Sequence, residues 1–240
     1  MGVVKDLIIA GIKEANIEEA KKHVGKRHYS PTDSAKCKRE LFYEWRGFPK
    51  KPYTARELSI FAIGTMTHEY LQSIVKNQIA AEYRIDTTWQ GLPFAGYVDS
   101  LIFDEKNKRV IVVDYKTISD RGMSYVNAKP KDDHLKQVNT YLALMGLKHG
   151  CLIYWNKTDG GITEHNFEKD EKIVEEVKNL FLGVQKCLDE DTLPDCTYDP
   201  DHNWRCKWCK FSNYCKKNAK TYDESKQAIL KPSKQPSKQP

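Results

Sequence analysis

Apolar and polar positions along this chain follow two periods, near 3.6 and near 2, and the changes between them mark out its elements. Residues 1–24 carry Leu7, Ile8, Ala15, Ile17 and Ala20 among charges, which predicts an amphipathic helix. Ser30-Pro31-Thr32-Asp33-Ser34 reads as a turn and helix start leading through Ala35 to Tyr43, closed by Gly47, Pro49 and Pro52. A longer helix is expected from about Ala55 to Ala81, with Leu58, Phe61, Ala62, Thr65, His68, Glu69, Gln72, Ile74, Val75 and Ile79 near the helical period. The period then shortens. Strands are expected over 92–103 and 109–116, with a short one at 84–89, followed by a loop over 118–131. Asp132-Asp133 suits the first turn of a helix reaching Leu147. Strands at Cys151–Asn156 and Ile162–Phe167 flank a turn, and a helix runs from Lys169 to Asp189. This order predicts an α/β fold, a mixed sheet flanked by helices, without the regular alternation of a doubly wound fold.

At 240 residues the chain is one domain with additions or at most two small ones. Its net charge of +6 is compatible with a polyanionic partner without selecting one. No run is long enough to span a bilayer, and Val3–Ile12 is broken by Lys5 and Asp6 with no cleavage pattern after it. The expectation is a cytoplasmic protein with no membrane partner. In a reducing compartment its seven cysteines are not a disulfide framework, and metal ligation is the better reading for the three that cluster. The polar end, Pro232 to Pro240, lacks the residues for a core and is expected to be disordered.

The chemistry gathers on GYVDSLIFDEKNKRVIVVDYKT, residues 96–117. Side chains alternate along a strand, so Asp114 and Lys116 share a face while Tyr115 points away. Asp99, in the partner strand, can meet them at one end of the hairpin. Paired carboxylates suit a hard divalent cation, although a D-x-K alone is as readily a satisfied surface pair. His68, followed by Glu69, is a further candidate ligand from the long helix. Gln137 and Tyr141 stand four residues apart on one helix face, where Gln137 can hold water or phosphate. Tyr141 can do the same, stack on a base, or join the packed stripe of Leu135, Val138, Leu142 and Met145.

Taken in order, His68, GYVD at 96–99, DYK at 114–116 and QVNTY at 137–141 resemble the RecB-type nucleases of the PD-(D/E)XK superfamily. The resemblance implies a restriction-endonuclease-like mixed sheet, a Mg²⁺ or Mn²⁺ cofactor and cleavage of DNA phosphodiester bonds. It makes His68, Asp99, Asp114 and the Tyr115 carbonyl the metal ligands, Lys116 the catalytic lysine, and Gln137 with Tyr141 the trailing motif. The implied activity is an exonuclease on single-stranded DNA or free ends with 5′-to-3′ polarity. No phosphate-binding loop of an ATPase is present in the sequence, so any helicase would be a separate protein. Two alternative readings stand beside the exonuclease: a protein that binds and processes DNA ends with weak activity alone, working with an integrase or recombination protein, or a zinc-containing DNA-binding protein. Homo-oligomers occur among such enzymes, but no heptad or repeat here supports one.

The second constellation is C-x-x-C-x5-C at Cys206, Cys209 and Cys215. Three thiolates call for a fourth ligand, for which Cys196, His202 and the distant Cys37 are candidates. The set suits zinc or, with four cysteines, a [4Fe–4S] cluster. The layout of one early cysteine and three late ones resembles that of the CRISPR-associated iron–sulphur exonucleases and implies Cys37, Cys206, Cys209 and Cys215 around a [4Fe–4S] cluster with a structural role. Cys151 and Cys187 read as small core residues. Trp204, Arg205, Lys207, Trp208, Lys210 and Phe211 either line a strand-binding surface or cover the cluster. The expected organisation is a helical region over 1–55, a nuclease core over 56–193, a cysteine-rich module over 194–220 and a polar tail over 221–240.

Overall fold

The computed structural model describes residues 3–21, 27–199 and 202–215. The expected disordered tail, 221–240, lies outside them. The chain divides into two compact units, one made of residues 1–36 and 53–181 and the other of residues 37–52 and 182–240. Helix α1 spans Val3–Lys21 and contacts α3, Ala55–Ile74. Leu7 and Ile8 are exposed, so the apolar positions described in α1 do not form a buried face.

Thr54 starts α3 through a capping box, its N–H bonded to Glu57 Oε2 at 2.7 Å while its Oγ1 accepts from the Glu57 N–H at 3.3 Å. The expectation that this helix continues to Ala81 is not met. It ends at Ile74, Asn77 turns the backbone through a φ of 57°, and strand β1 runs over Gln78–Trp89. Ile79, Ala80 and Ala81 prolong the apolar period, but Asn tolerates the left-handed conformation that stops a helix. The expected stripe is largely uncovered as well: Leu58 and Leu71 are buried, whereas Phe61 and Ile74 are about half exposed.

The sheet has five strands in the order β1-β2-β3-β4-β5. Strands β2 (Leu92–Asp104), β3 (Arg109–Ile118), β4 (His149–Asn156) and β5 (Ile162–Glu168) complete it. All neighbours are antiparallel except β3 and β4. That parallel pair needs a crossover, supplied by α4 (Asp120–Val126) and α5 (Asp132–Met145). The expected loop over 118–131 therefore contains a helix. Asp104 closes the β2–β3 turn by accepting from the Asn107 N–H and from Arg109 Nε.

The period of two along β3 sorts its side chains between two cores. Val112 and Ile118 join Val138, Leu142, Leu152 and Tyr154 on the α5 face, while Val113 and Tyr115 join Leu71 and Cys151 on the other. Helix α5 stops where Gly146 takes a φ of 66°, which a residue with a side chain adopts at a cost. Gly150 lets α5 and β5 approach, since a Cβ there would lie 2.8 Å from both Val138 and Phe167.

The short 3₁₀ turn Pro31–Ala35 packs against α5. Just before it, Tyr29 bridges Phe94 and stacks with Phe181 of helix α6, Glu171–Asp189. In the second unit, α2 (Lys38–Trp45) begins later than expected because Cys37 is its N-cap. The short helices α7 (Trp204–Trp208) and α8 (Ser212–Cys215) carry the cysteine motif.

Candidate active site

The site begins where two strands part. The β2–β3 ladder runs up to the pair Ser100↔Val113 and goes no further. The next residues, Asp99 and Asp114, therefore face an opening that no backbone pairing fills. Asp99 replaces the missing ladder bond with its side chain, its Oδ2 accepting from the Tyr115 N–H at 2.7 Å. Strand β3 remains paired with β4 as far as Ile118↔Asn156, so this opening has one firm wall.

Asp114 and Lys116 project together from the α5 face, as their spacing requires. Lys116 Nζ lies 3.0 Å from Asp114 Oδ1 and 2.7 Å from Oδ2. Gln137, on α5, closes a ring: its Oε1 accepts from Lys116 at 3.0 Å and its Nε2 donates to Asp114 Oδ1 at 2.9 Å. Asp114 is 2% exposed, yet its Oδ2 has no aligned hydrogen bond. From the opposite side α3 brings His68, whose Nδ1 stands 3.4 Å from Asp99 Oδ2. Its ring also bonds at the Tyr115 backbone. Glu69, its neighbour, lies on the exposed face of the helix.

The electrostatics are those of a strained anionic site. Burial, then the neighbouring Asp114 carboxylate, pushes Asp99 well above the ordinary carboxylate range. His68 is pulled below its usual value by burial and then by Lys116, which favours a neutral imidazole able to act as a ligand. A divalent cation beside Asp99 would favour the ionised form of that carboxylate. Among the described residues, no three His, Cys, Asp or Glu side chains are gathered tightly enough to hold an ion as they stand. At Asp114 the reason is visible, since the Lys116 ammonium already spans both oxygens.

Tyr141 differs from one expectation. It is buried, and its hydroxyl donates to the Tyr97 carbonyl at 2.6 Å, so it holds the start of the GYVD segment and is not free to stack on a base. Sequence reasoning missed Glu82. It lies between the pairs Ala81↔Ser100 and Tyr83↔Val98, hence opposite Asp99, with a φ of 45°. Gln72 ties the two together, its Nε2 donating to Glu82 Oε1 at 2.6 Å and to the Asp99 carbonyl at 3.0 Å. The signal was hidden because residue 82 was read against a helix ending one residue earlier, when it belongs to a strand.

In the second unit, Cys37, Cys206, Cys209 and Cys215 are free thiols: Cys37 lies near Cys209 and Cys215, Cys209 lies near Cys206 and Cys215, and Cys206 and Cys215 also lie near Cys196. Burial raises Cys37 to about 12 and Cys209 to about 11. Backbone N–H groups already point at two of the sulphurs, Glu40 to Cys37 and Phe211 to Cys209, each at 3.4 Å. Such bonds stabilise thiolate and tune clusters. Phe42, Tyr43, Phe48 and Phe211 form a buried aromatic wall against Cys209 and Cys215. Cys196 donates its thiol to the Tyr198 carbonyl at 2.7 Å, and His202 pairs with Asp199 at 2.8 Å. Cys151 is buried in the sheet, and Cys187 packs against the aromatic wall.

Comparison with known proteins identifies the family and the fold. The model of the PD-(D/E)XK nuclease superfamily matches residues 20–216. The CRISPR-associated exonuclease Cas4 of Saccharolobus solfataricus is 24% identical over 221 residues, covering 87% of this chain and 98% of that protein. The crystal structure of SSO0001 superposes with a TM-score of 0.55 at 24% identity, over 89% of this chain and 96% of the other. The alkaline exonuclease of Laribacter hongkongensis gives 0.51 at 17% identity, over 68% and 90%. At these identities the solved structures speak for the fold.

Proposed function

The chain belongs to the PD-(D/E)XK nuclease superfamily, and on that premise we propose that it is a Mg²⁺- or Mn²⁺-dependent DNA exonuclease acting on single strands or free ends, with 5′-to-3′ polarity. One observation carries the reading: Asp99, Asp114, Lys116 and His68 converge where β2 and β3 part, with Gln137 bracing the ring. Two similar proteins are named as exonucleases, which supports the finer assignment. The polarity and an integrase or recombination protein as partner rest on the family resemblance, and the cytoplasm as location rests on the sequence reading alone.

His68, Asp99, Asp114 and the Tyr115 carbonyl would hold the cation, with Glu82, across the strand from Asp99, a further candidate carboxylate. The cation would supply an activated water and offset phosphate charge. The chain's own share is positional. Hydrolysis joins a water oxygen to phosphorus and breaks the P–O bond, leaving phosphate on one product end. Lys116 would answer the negative charge that grows on the phosphate, and Gln137, bonded to both Lys116 and Asp114, holds the two in register.

Cys37, Cys206, Cys209 and Cys215 would hold a [4Fe–4S] cluster once drawn together. In support, the four thiols share one unit, two already accept N–H bonds, and the aromatic wall packs against Cys209 and Cys215. The cluster would hold Cys37–Pro52 to the C-terminal part of that unit.

The test is anaerobic purification, a visible spectrum, and digestion of 5′- and 3′-labelled single-stranded DNA with Mn²⁺ or Mg²⁺. A brown protein that degrades from the 5′ end is expected. Asp114→Asn, with unchanged circular dichroism, should lose at least about a hundredfold in rate. Cutting that survives this change overturns the nuclease site. A colourless protein containing zinc overturns the cluster alone.

A further inference from the structure

The second unit uses its aromatic residues in two opposite ways. Phe42, Tyr43, Phe48 and Phe211 are buried against one another, with Tyr43 and Phe211 rings 5.7 Å apart. They cover the thiols. Trp204 and Trp208 do not, being 64% and 72% exposed. Trp is among the side chains proteins bury most on average, so two uncovered indoles on one short helix need a reason outside the fold.

Helical spacing sets the pattern. Trp204, Lys207 and Trp208 stand at i, i+3 and i+4, so they share a face of α7 while Cys206 turns inward and is buried. Asn203 caps the helix by accepting from the Arg205 N–H at 2.9 Å. The Arg205 guanidinium lies 5.2 Å from the Trp204 ring centre and 5.4 Å from that of Tyr198, which steadies the outer indole from behind. Trp204 to Lys210 contains three cations and no carboxylate. The face thus offers two flat rings about 5–6 Å apart at their Cβ atoms, with the exposed Lys207 on the same face. An apolar partner protein would have no use for the charge, and a duplex hides its base faces. A stretched single strand presents both stackable bases and phosphates.

We propose that the Trp204–Lys207–Trp208 face is a stacking platform for unpaired bases of single-stranded DNA, with Lys207 meeting the backbone phosphate. It rests on the nuclease reading for the choice of DNA, and on the exposed rings for the binding mode.

The experiment uses the full chain with its metallocentre, carrying Asp114→Asn to prevent turnover. Oligothymidylate and a blunt duplex of equal phosphate number are titrated and followed by tryptophan fluorescence. The expected result is quenching by the single strand, and a tenfold to hundredfold loss of its affinity in Trp204→Ala/Trp208→Ala, in the range of one or two lost stacks. Duplex affinity and the visible spectrum should not change. Trp204→Phe/Trp208→Phe should recover most of the binding. Acrylamide quenching supplies a measurement without substitutions, because bound oligothymidylate must shield the two exposed indoles. Unchanged affinity in the alanine pair, an equal loss on duplex, or no shielding overturns the platform. So does shielding that depends on protein concentration without DNA, which would make the face a contact between copies. A chain that binds through these indoles yet never cuts would refute the nuclease and spare the platform. Normal cutting with alanine-pair binding unchanged would do the reverse.

Discussion

Asp99 serves the fold at the very point where the proposed chemistry needs it. By accepting the Tyr115 N–H it replaces a ladder bond at the point where the sheet must open. Its neighbour across the strand, Glu82, has a left-handed φ that costs a residue with a side chain about 1–3 kcal/mol. Glycine adopts that backbone freely. Glu82→Gly should therefore melt at a higher temperature than the wild type while binding Mn²⁺ more weakly by calorimetry. Lower stability together with unchanged Mn²⁺ affinity would show that the side chain serves only the fold. His134 offers a pH signature. Burial, with Lys116 and Lys131 nearby, lowers it to about 3 from an ordinary 6.5, and its Nδ1 lies 2.8 Å from the Tyr154 hydroxyl. Between those values the unfolded chain binds a proton that the native one does not, so this group's contribution is complete above about 6.5 and is lost on acidification. The slope is at most about 1.4 kcal/mol per pH unit. Denaturant unfolding from pH 4 to 7 should show wild-type stability falling more steeply toward acid than that of His134→Gln. Parallel curves would remove His134 as the cause.

Among the elements, α5 carries the most constraint. One face supplies Gln137 to the ring, the next turn supplies Tyr141 to the Tyr97 carbonyl, and Val138 lies against the sheet. Its distance from β4 is set by Gly150. Gly150→Ala would place a methyl group 2.8 Å from Val138 Cγ1 and from Phe167, and overpacking of this kind costs about 1–3 kcal/mol. The displaced helix should also carry Gln137 away from Asp114, lowering kcat more than it raises KM. A variant of full stability and activity would show that the helix can shift freely. This element was legible in sequence because its acidic start, apolar stripe and glycine stop all agree. The junction of α3 and β1 was not, since Ile79, Ala80 and Ala81 satisfy a helix as well as a strand. The φ of Asn77 and pairing with β2 broke the tie, and both are invisible to a local window.

At the scale of the whole molecule, the chain threads its two units together, with Cys37–Pro52 leaving the first unit's sequence to join the C-terminal part of the second. Cys37 and Cys206 are far apart in sequence, and a cluster that joined them would close a long loop, a link that restricts the unfolded chain most in principle. Cys37→Ser should therefore lower the melting temperature of the second unit by several degrees and expose its aromatic wall to proteolysis. The β-sheet unit should hold its own transition more closely. A single unshifted transition would deny the cysteines any structural role. No helix of the described residues is long and apolar enough to cross a membrane, and the basic charge of the whole chain accords with a polyanionic substrate.

The sequence by itself determined what is local and periodic. The alternation of two in DYK put Asp114 and Lys116 on one face, the spacing of four put Gln137 and Tyr141 on another, and C-x-x-C-x5-C grouped three thiols within ten residues. Each depends on a few neighbouring backbone dihedrals. Tertiary structure alone decided the rest: that β2 and β3 part at Asp99, that Lys116 spans both Asp114 oxygens, that Glu82 stands across from Asp99, and that Phe211 is covered while Trp204 and Trp208 are not. Those outcomes turn on which distant surfaces exclude water from which side chains. Burial is a property of the packed chain, and no single segment carries it.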